Sequence, residues 1–479
     1  MTQPGRHFAI IGAGFSGSLL AVHLLRRSNP DDRILLFERA EEFGRGLAYA
    51  ADNPGHLLNV RASNMSAFSD QPDHFLQWLA TASGPGTGTA GDSGPMTFAS
   101  RQLYGSYIRH VLASELRSGT KRHRLTLVSD EAVALRPVFG GYSIETREAG
   151  RYDVDAAILA VGNFPAHTDI EGYAASPWAG DALNGLDRDA AVLLIGTGLT
   201  MVDVVLSLLD RGHRGPIHAI SRRGLLPHTH APAAPAPRFL AQQDAPRSVR
   251  GLLSAIRREV RRASAQGGDW RSVVDSLRPD TQSLWRSLPL EEKRRFLRHL
   301  RPWWDIHRHR MAPAISARLQ SCIASGQLTV RRARLRQMHA VPDGIEVTLQ
   351  PVFGTSPLTI PVARIVNCTG LTNDFSRVEL PLIRSLLASG LARTDPLELG
   401  LDVTGDGDLI GASGEAAHRL FAVGPVTKGV FWESTAVPDI RVQCENLAAH
   451  ILGKVRRSHR IAGSTPYWDS YPGIFALTA

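Results

Sequence analysis

Gly12, Gly14 and Gly17 form the pattern GxGxxG, set between the apolar run 8–11 and a stretch of helical apolar spacing over 18–27. Glycine types at this spacing do one kind of chemistry well, the holding of a diphosphate. The first permits a tight turn and the second lets backbone approach the phosphates. The third lets the helix pack closely on the strand. Amides of Ala13, Phe15 and Ser16 complete the turn, and the helix dipole favours the anion. Glu38 follows Gly17 by 21 residues, at the end of the next apolar run, with Arg39 beside it. A carboxylate there accepts hydrogen bonds from both hydroxyls of a ribose. The competing reading is a glycine turn with no ligand; motif, flanking elements and acid together favour a dinucleotide.

A second copy begins 184 positions later as Gly196-Thr197-Gly198-Leu199-Thr200-Met201. Both phosphate-approach glycines are kept. Met201 replaces the third, which is expected to slacken the packing of helix on strand. Where the first copy has Glu38, the second has Ser221-Arg222-Arg223. Arginines suit a 2′-phosphate, so the expected dinucleotide is NADPH and not NADH. The competing reading makes them solvated surface arginines.

These motifs need strand–turn–helix–strand units to position them, and the rest of the 479 residues supplies them. Strands are expected at 125–128, 142–146, 155–161, 191–195, 217–220, 328–330, 345–349 and 365–368, and helices at 104–114, 199–209 and 438–452. The Gly/Thr/Ser-rich stretch 83–95 reads as a loop and 231–237 as an Ala/Pro-rich linker. The fold class is therefore α/β, with two Rossmann-like dinucleotide-binding domains. Between Arg238 and Arg310 stand 17 Lys/Arg and 8 Asp/Glu, an excess of nine that equals the net charge of the whole chain. Such a block suits nucleic acid, an anionic substrate or a solvated face. Cys322, Cys368 and Cys444 lie far apart, which supports neither a disulfide framework nor a zinc site and suits a cytoplasmic setting. The first apolar run is too short for a secretory core, and no stretch has membrane-spanning length, so the expectation is a soluble protein.

The chain resembles the flavoproteins with two dinucleotide-binding domains, and within them a bacterial group of FAD/NAD(P)-binding proteins related to flavin-dependent N-hydroxylating monooxygenases. The resemblance is carried by 12–17, His56-Leu-Leu-Asn-Val60 with Met65-Ser-Ala-Phe68, 196–203, the stretch 301–310, and Phe431-Trp-Glu433 to Asp439. It implies FAD at the first corner and an NAD(P) domain inserted into the FAD domain. The implied order is 1–187 FAD part, 188–370 NAD(P) domain with a helical insertion at about 231–312, and 371–479 FAD part. It places interdomain crossings at Ala160-Val-Gly162 and Cys368-Thr369-Gly370, and a flavin-contacting turn at Gly424-Pro425. That turn lacks the family's usual acid, so its flavin contacts are expected to be mostly backbone. The helix near Pro438 is implied to point its positive end at the flavin ring.

No pair of cysteines is spaced for a disulfide acceptor. Oxygen is the remaining partner by class resemblance, giving a monooxygenase of a small polar amine, amino acid or thioether. A flavin reductase or dehydrogenase with another acceptor is the alternative, and an RNA-binding or RNA-modifying flavoprotein a third. Acids interleaved with the basic block, Glu291 and Glu292 among them, argue against nucleic acid. Asn59 is a candidate polar group at the flavin edge, or else a turn residue. Arg301, His307, His309 and Arg310 are candidates for binding an anion or substrate, on an alternation that suggests strand or loop; no metal is expected there. Trp303 and Trp304 are expected in the core. His228 and His230 are read as the edge of a mobile lid, and the basic block as that lid.

Overall fold

The computed structural model describes residues 5–455 apart from 41, 51–52, 83–93, 118–120, 165–171, 175, 179–181, 241–244, 355 and 371–373. Most of the expected loop 83–95 thus lies outside the described residues. The chain divides into two compact units, one of residues 1–52, 60–163 and 373–479, the other of 53–59 and 164–372. The sequence placed the boundaries at 187/188 and 370/371. The earlier break has a local cause: Tyr173–Ala174 pairs in parallel with Arg364–Asn367 and so joins the second unit's sheet.

The first unit is built on β1 (His7–Ile11), whose apolar run is buried along Phe8–Ile11 because sheet neighbours flank it on both sides. It pairs in parallel with β2 (Arg33–Glu38) and with Ala156–Leu159. Leu125–Ser129 extends the sheet beyond β2, and Ala416–Ala422 extends it beyond Ala156–Leu159. Between β1 and β2 runs α1 (Phe15–Arg27), buried from Phe15 to Leu25. Helices buried almost all round need a neighbour on their outer face. That neighbour is helix Val437–Lys454, where the Cys444 thiol donates to the Ser16 carbonyl at 3.4 Å.

The second unit repeats the plan. Val192–Ile195 pairs in parallel with Ile217–Ser221 and with Arg364–Asn367, and helix Leu199–Asp210 makes the crossover. The strand expected over 328–330 runs from Leu328 to Val341, parallel to Ile217–Ser221 at its start and antiparallel to Gly344–Pro351 further on. The basic block is helical, including Val249–Ala265, Trp270–Ser276 and Arg301–Arg308. No helix among the described residues is long and apolar enough to cross a membrane.

Three expectations are corrected here. The alternating stretch around His307 is helix Arg301–Arg308, not strand or loop. Pro302 suits its first turn, Arg301 pairs with Asp305 one turn on at 3.5 Å, and His307 Nδ1 lies 2.8 Å from the Trp303 carbonyl. Trp303 is 45% exposed and not core, whereas Trp304 packs against the cluster of Leu240, Ala255, Leu277 and Leu284. His228 and His230 are no loose edge. Their backbones exchange bonds with Ile306 and Met311 (His228 N to Ile306 O 3.1 Å, Met311 N to His228 O 2.8 Å, His230 N to Met311 O 2.9 Å).

Candidate functional site

At the first corner Gly12 has φ +103°, and a Cβ there would lie 2.5 Å from the Ala160 carbonyl oxygen. A Cβ on Gly17 would lie 1.9 Å from the Gly12 carbonyl oxygen. Only glycine satisfies both positions. Gly14 is different: its added Cβ would meet only Gly46 Cα, at 3.5 Å, so the glycine leaves its own flank of the turn bare. α1 starts from Gly14 with no side-chain cap and no acid in its first turn. Its leading N–H groups therefore lack an internal acceptor and suit an incoming anion. Glu38 accepts from Ala13 N at 2.9 Å and from Ala40 N at 3.3 Å, fixing the turn while keeping lone pairs for a sugar. Arg39 is exposed. The residues present fit the diphosphate and ribose of a dinucleotide.

The second corner uses the same backbone. Gly196 has φ +113° and its Cβ would lie 2.5 Å from the Cys368 carbonyl oxygen; around Gly198 nothing lies within 4 Å. Helix Leu199–Asp210 also begins without a side-chain cap or first-turn acid, leaving the amides of Leu199 and Thr200 at its open end. By contrast Ser248 and Asp269 cap the helices that follow them. Met201 is fully buried, so where the first copy packs helix on strand through a glycine the second does so through a side chain. Thr197, which the motif treats as a spacer, donates to the Leu225 carbonyl at 2.6 Å and meets Ser221 Oγ at 2.9 Å. That ties the corner to the loop carrying Arg222 and Arg223. Arg222 is exposed, and Arg223 is half-buried with Nη2 donating to the Arg298 carbonyl at 3.4 Å.

The crossings named by the sequence lie beneath the two corners, Ala160 under Gly12 and Cys368 under Gly196; Gly162 and Gly370 both take positive φ, +70° and +114°. The turn at Gly424-Pro425 is held by side chains of its own unit. Gly424 N donates to Gln443 Oε1 at 2.9 Å, and its carbonyl accepts from Thr427 Oγ1 at 2.8 Å and Ser434 Oγ at 3.2 Å. Pro425 has no N–H. The N–H and carbonyl of Gly424 are thus engaged internally. Gln443 and Thr427 escaped the sequence reading because a glutamine within a long helix carries no motif.

The four candidates at 301–310 do not converge as uncommitted donors. Arg301 pairs with Asp305, and buried Arg310 pairs with Asp275. His307 packs on Trp270 at 4.8 Å and on His228 at 4.6 Å, while His309 caps the helix end. Burial lowers the His228 pKa, helped by His307, Arg271 and Arg310. Asn59 belongs to the segment 53–59 of the second unit, and its carbonyl lies 3.0 Å from His230 Nε2. In the same segment His56 Nε2 lies 2.9 Å from Ser207 Oγ. Cys322, Cys368 and Cys444 are free and buried, and burial raises the pKa of each thiol. No ready thiolate is offered by these side chains.

Residues 9–164 match a family model described as FAD-NAD(P)-binding. No curated protein sequence matches the chain. Among solved structures it is similar to an ornithine N-hydroxylase of Kutzneria sp. 744 bearing reduced FAD, NADP+ and L-ornithine (TM-score 0.63, 14% identity, 94% of this chain and 99% of that one). L-lysine 6-monooxygenase from Pseudomonas syringae gives TM-score 0.63 at 15% identity, over 94% and 100% of the two chains. Thioredoxin reductase of T. acidophilum gives 0.51 at 12%, over 94% and 98%. At such identities the likeness is one of fold. Over 94% of its length the chain shares the fold of these three structures.

Proposed function

We propose that this protein is an oxidoreductase that binds FAD at the corner Gly12–Gly17 and NADPH at the corner Gly196–Thr200, and that it oxygenates a small polar amine, amino acid or thioether. One observation carries the division of labour. Glu38 and Arg222 occupy the same place in two copies of one turn, 184 residues apart. A carboxylate accepts from the ribose hydroxyls of FAD, and a guanidinium pairs with a 2′-phosphate. Thr197 holds the loop of Arg222 and Arg223 against the second corner, while Glu38 holds the first through Ala13.

FAD supplies two-electron exchange with NADPH and, once reduced, reaction with oxygen. Oxygen is favoured as acceptor by the likeness of fold to the ornithine and lysine hydroxylases, and by thiols that burial keeps protonated. The test is NADPH consumption across amino acids, amines and thioethers, with product mass measured beside peroxide. An oxygenated product formed in step with NADPH supports the reading. Peroxide alone across the whole panel contradicts the oxygenase half and leaves a flavin reductase.

A further inference from the structure

Three large aromatic side chains are left exposed among the described residues: Phe139, Trp303 and Phe353. Two of them carry a guanidinium on one face. Arg332 Cζ lies 4.3 Å from the centre of Phe353, and Arg223 Cζ lies 5.9 Å from Trp303. Both arginines flank the C-terminal end of strand Ile217–Ser221. Arg332 is the register partner of Ser221 and its Nε donates to the Arg222 carbonyl at 3.3 Å; Arg223 follows that strand directly. Phe353 comes from the end of strand Gly344–Pro351, and Trp303 from helix Arg301–Arg308 of the basic insertion. Elements distant in sequence thus bring two aromatic–arginine pairs to the strand end that faces the second corner's sugar position.

A merely solvated cationic surface needs no aromatic support, and Phe353 at 74% exposure gains nothing from burial. A guanidinium laid on a ring is held as a flat plate, which suits stacking on a planar base. Its edge N–H groups stay available for phosphate oxygens. We propose that Arg332 with Phe353, and Arg223 with Trp303, form the seat of the adenine end of NADPH. The basic helical insertion, which supplies Trp303, is then part of the cofactor site and not only a cover for substrate. The proposal rests on the reading of the second corner as the NADPH site.

The test uses the full-length protein loaded with FAD and two probes, adenosine 2′,5′-bisphosphate and 5′-AMP, followed by calorimetry. Phe353→Ala and Trp303→Ala are expected to weaken both probes about tenfold, since both carry adenine. Arg222→Ala should weaken the bisphosphate alone. Trp303→Phe, which keeps a ring, should bind both as the parent does, and this control separates a lost stack from a disturbed helix. Trp303 emission should change on adding the bisphosphate. Unaltered binding of both probes by both alanine variants, with the bisphosphate still weakened by Arg222→Ala, overturns the adenine seat and leaves the proposed function standing. A parent protein that binds neither probe overturns both.

Discussion

A Cβ on Gly12 would press on the Ala160 carbonyl, and one on Gly196 would press on the Cys368 carbonyl, each at 2.5 Å. The backbone problem is thus identical in the two corners, and both answer it with glycine at positive φ. Five residues further the answers part. Gly17 admits no Cβ because the Gly12 carbonyl is 1.9 Å from where it would be, whereas its counterpart Met201 is wholly buried. Along the helices His23 in the first copy matches Ser207 in the second. His23 is buried with no partner on Nε2, while Ser207 meets His56. The lesson is that tight turn and open helix end are what phosphate binding demands, while packing beneath can be solved by close backbone contact at a glycine or by a side chain.

The largest effect that could break this comparison is at the third position. Gly17→Val should cost about 3 kcal/mol or more through overpacking and yield poorly folded protein without flavin, read by thermal melting and flavin absorbance. Met201→Ala should cost about 2–5 kcal/mol through a cavity, and still bind dinucleotide. A harmless Gly17→Val would mean that the first corner is as loose as the second.

His23 sharpens the contrast between the helices. Burial lowers its pKa from 6.5 to about 4, with Arg27 and Arg26 adding and Glu445 opposing. The folded form resists protonation, so stability is full above pH 6.5 and falls as pH drops from 6.5 towards 4. The loss is about 3 kcal/mol at 1.36 kcal/mol per pKa unit. Denaturant midpoints at several pH values should show it, and His23→Gln should flatten the slope.

Next in size is the ribose-end charge. Replacing Arg222 by alanine should raise the KM for NADPH about ten- to a hundredfold with that for NADH little changed, the range expected for one charge-assisted pair. Equal changes for the two would remove Arg222 from the 2′-phosphate. The smallest effect is Thr197→Val. Loss of its bond to the Leu225 carbonyl should cost about 1 kcal/mol in thermal melts, with FAD retained.

The glycine corners, their strands, Glu38 and the arginine pair were legible because local spacing alone dictates them. Arg332 was not, because only the register of Leu328–Val341 against Ile217–Ser221 sets it beside Arg222. The helix 301–308 was missed because alternating charges imitate a strand, while the i to i+4 pairing of Arg301 with Asp305 fits a helix equally well. Gly424 was found, yet the engagement of its backbone by Gln443 spans 19 residues and leaves no local trace.

If the two corners hold different dinucleotides, as proposed, reciprocal variants separate them. Flavin content should be measured in purified Gly14→Val and Gly198→Val beside binding of NADPH. Gly14→Val is expected to be colourless, and Gly198→Val to stay yellow but no longer bind NADPH. Flavin retained by the first variant, or lost with NADPH binding kept by the second, would contradict the proposal.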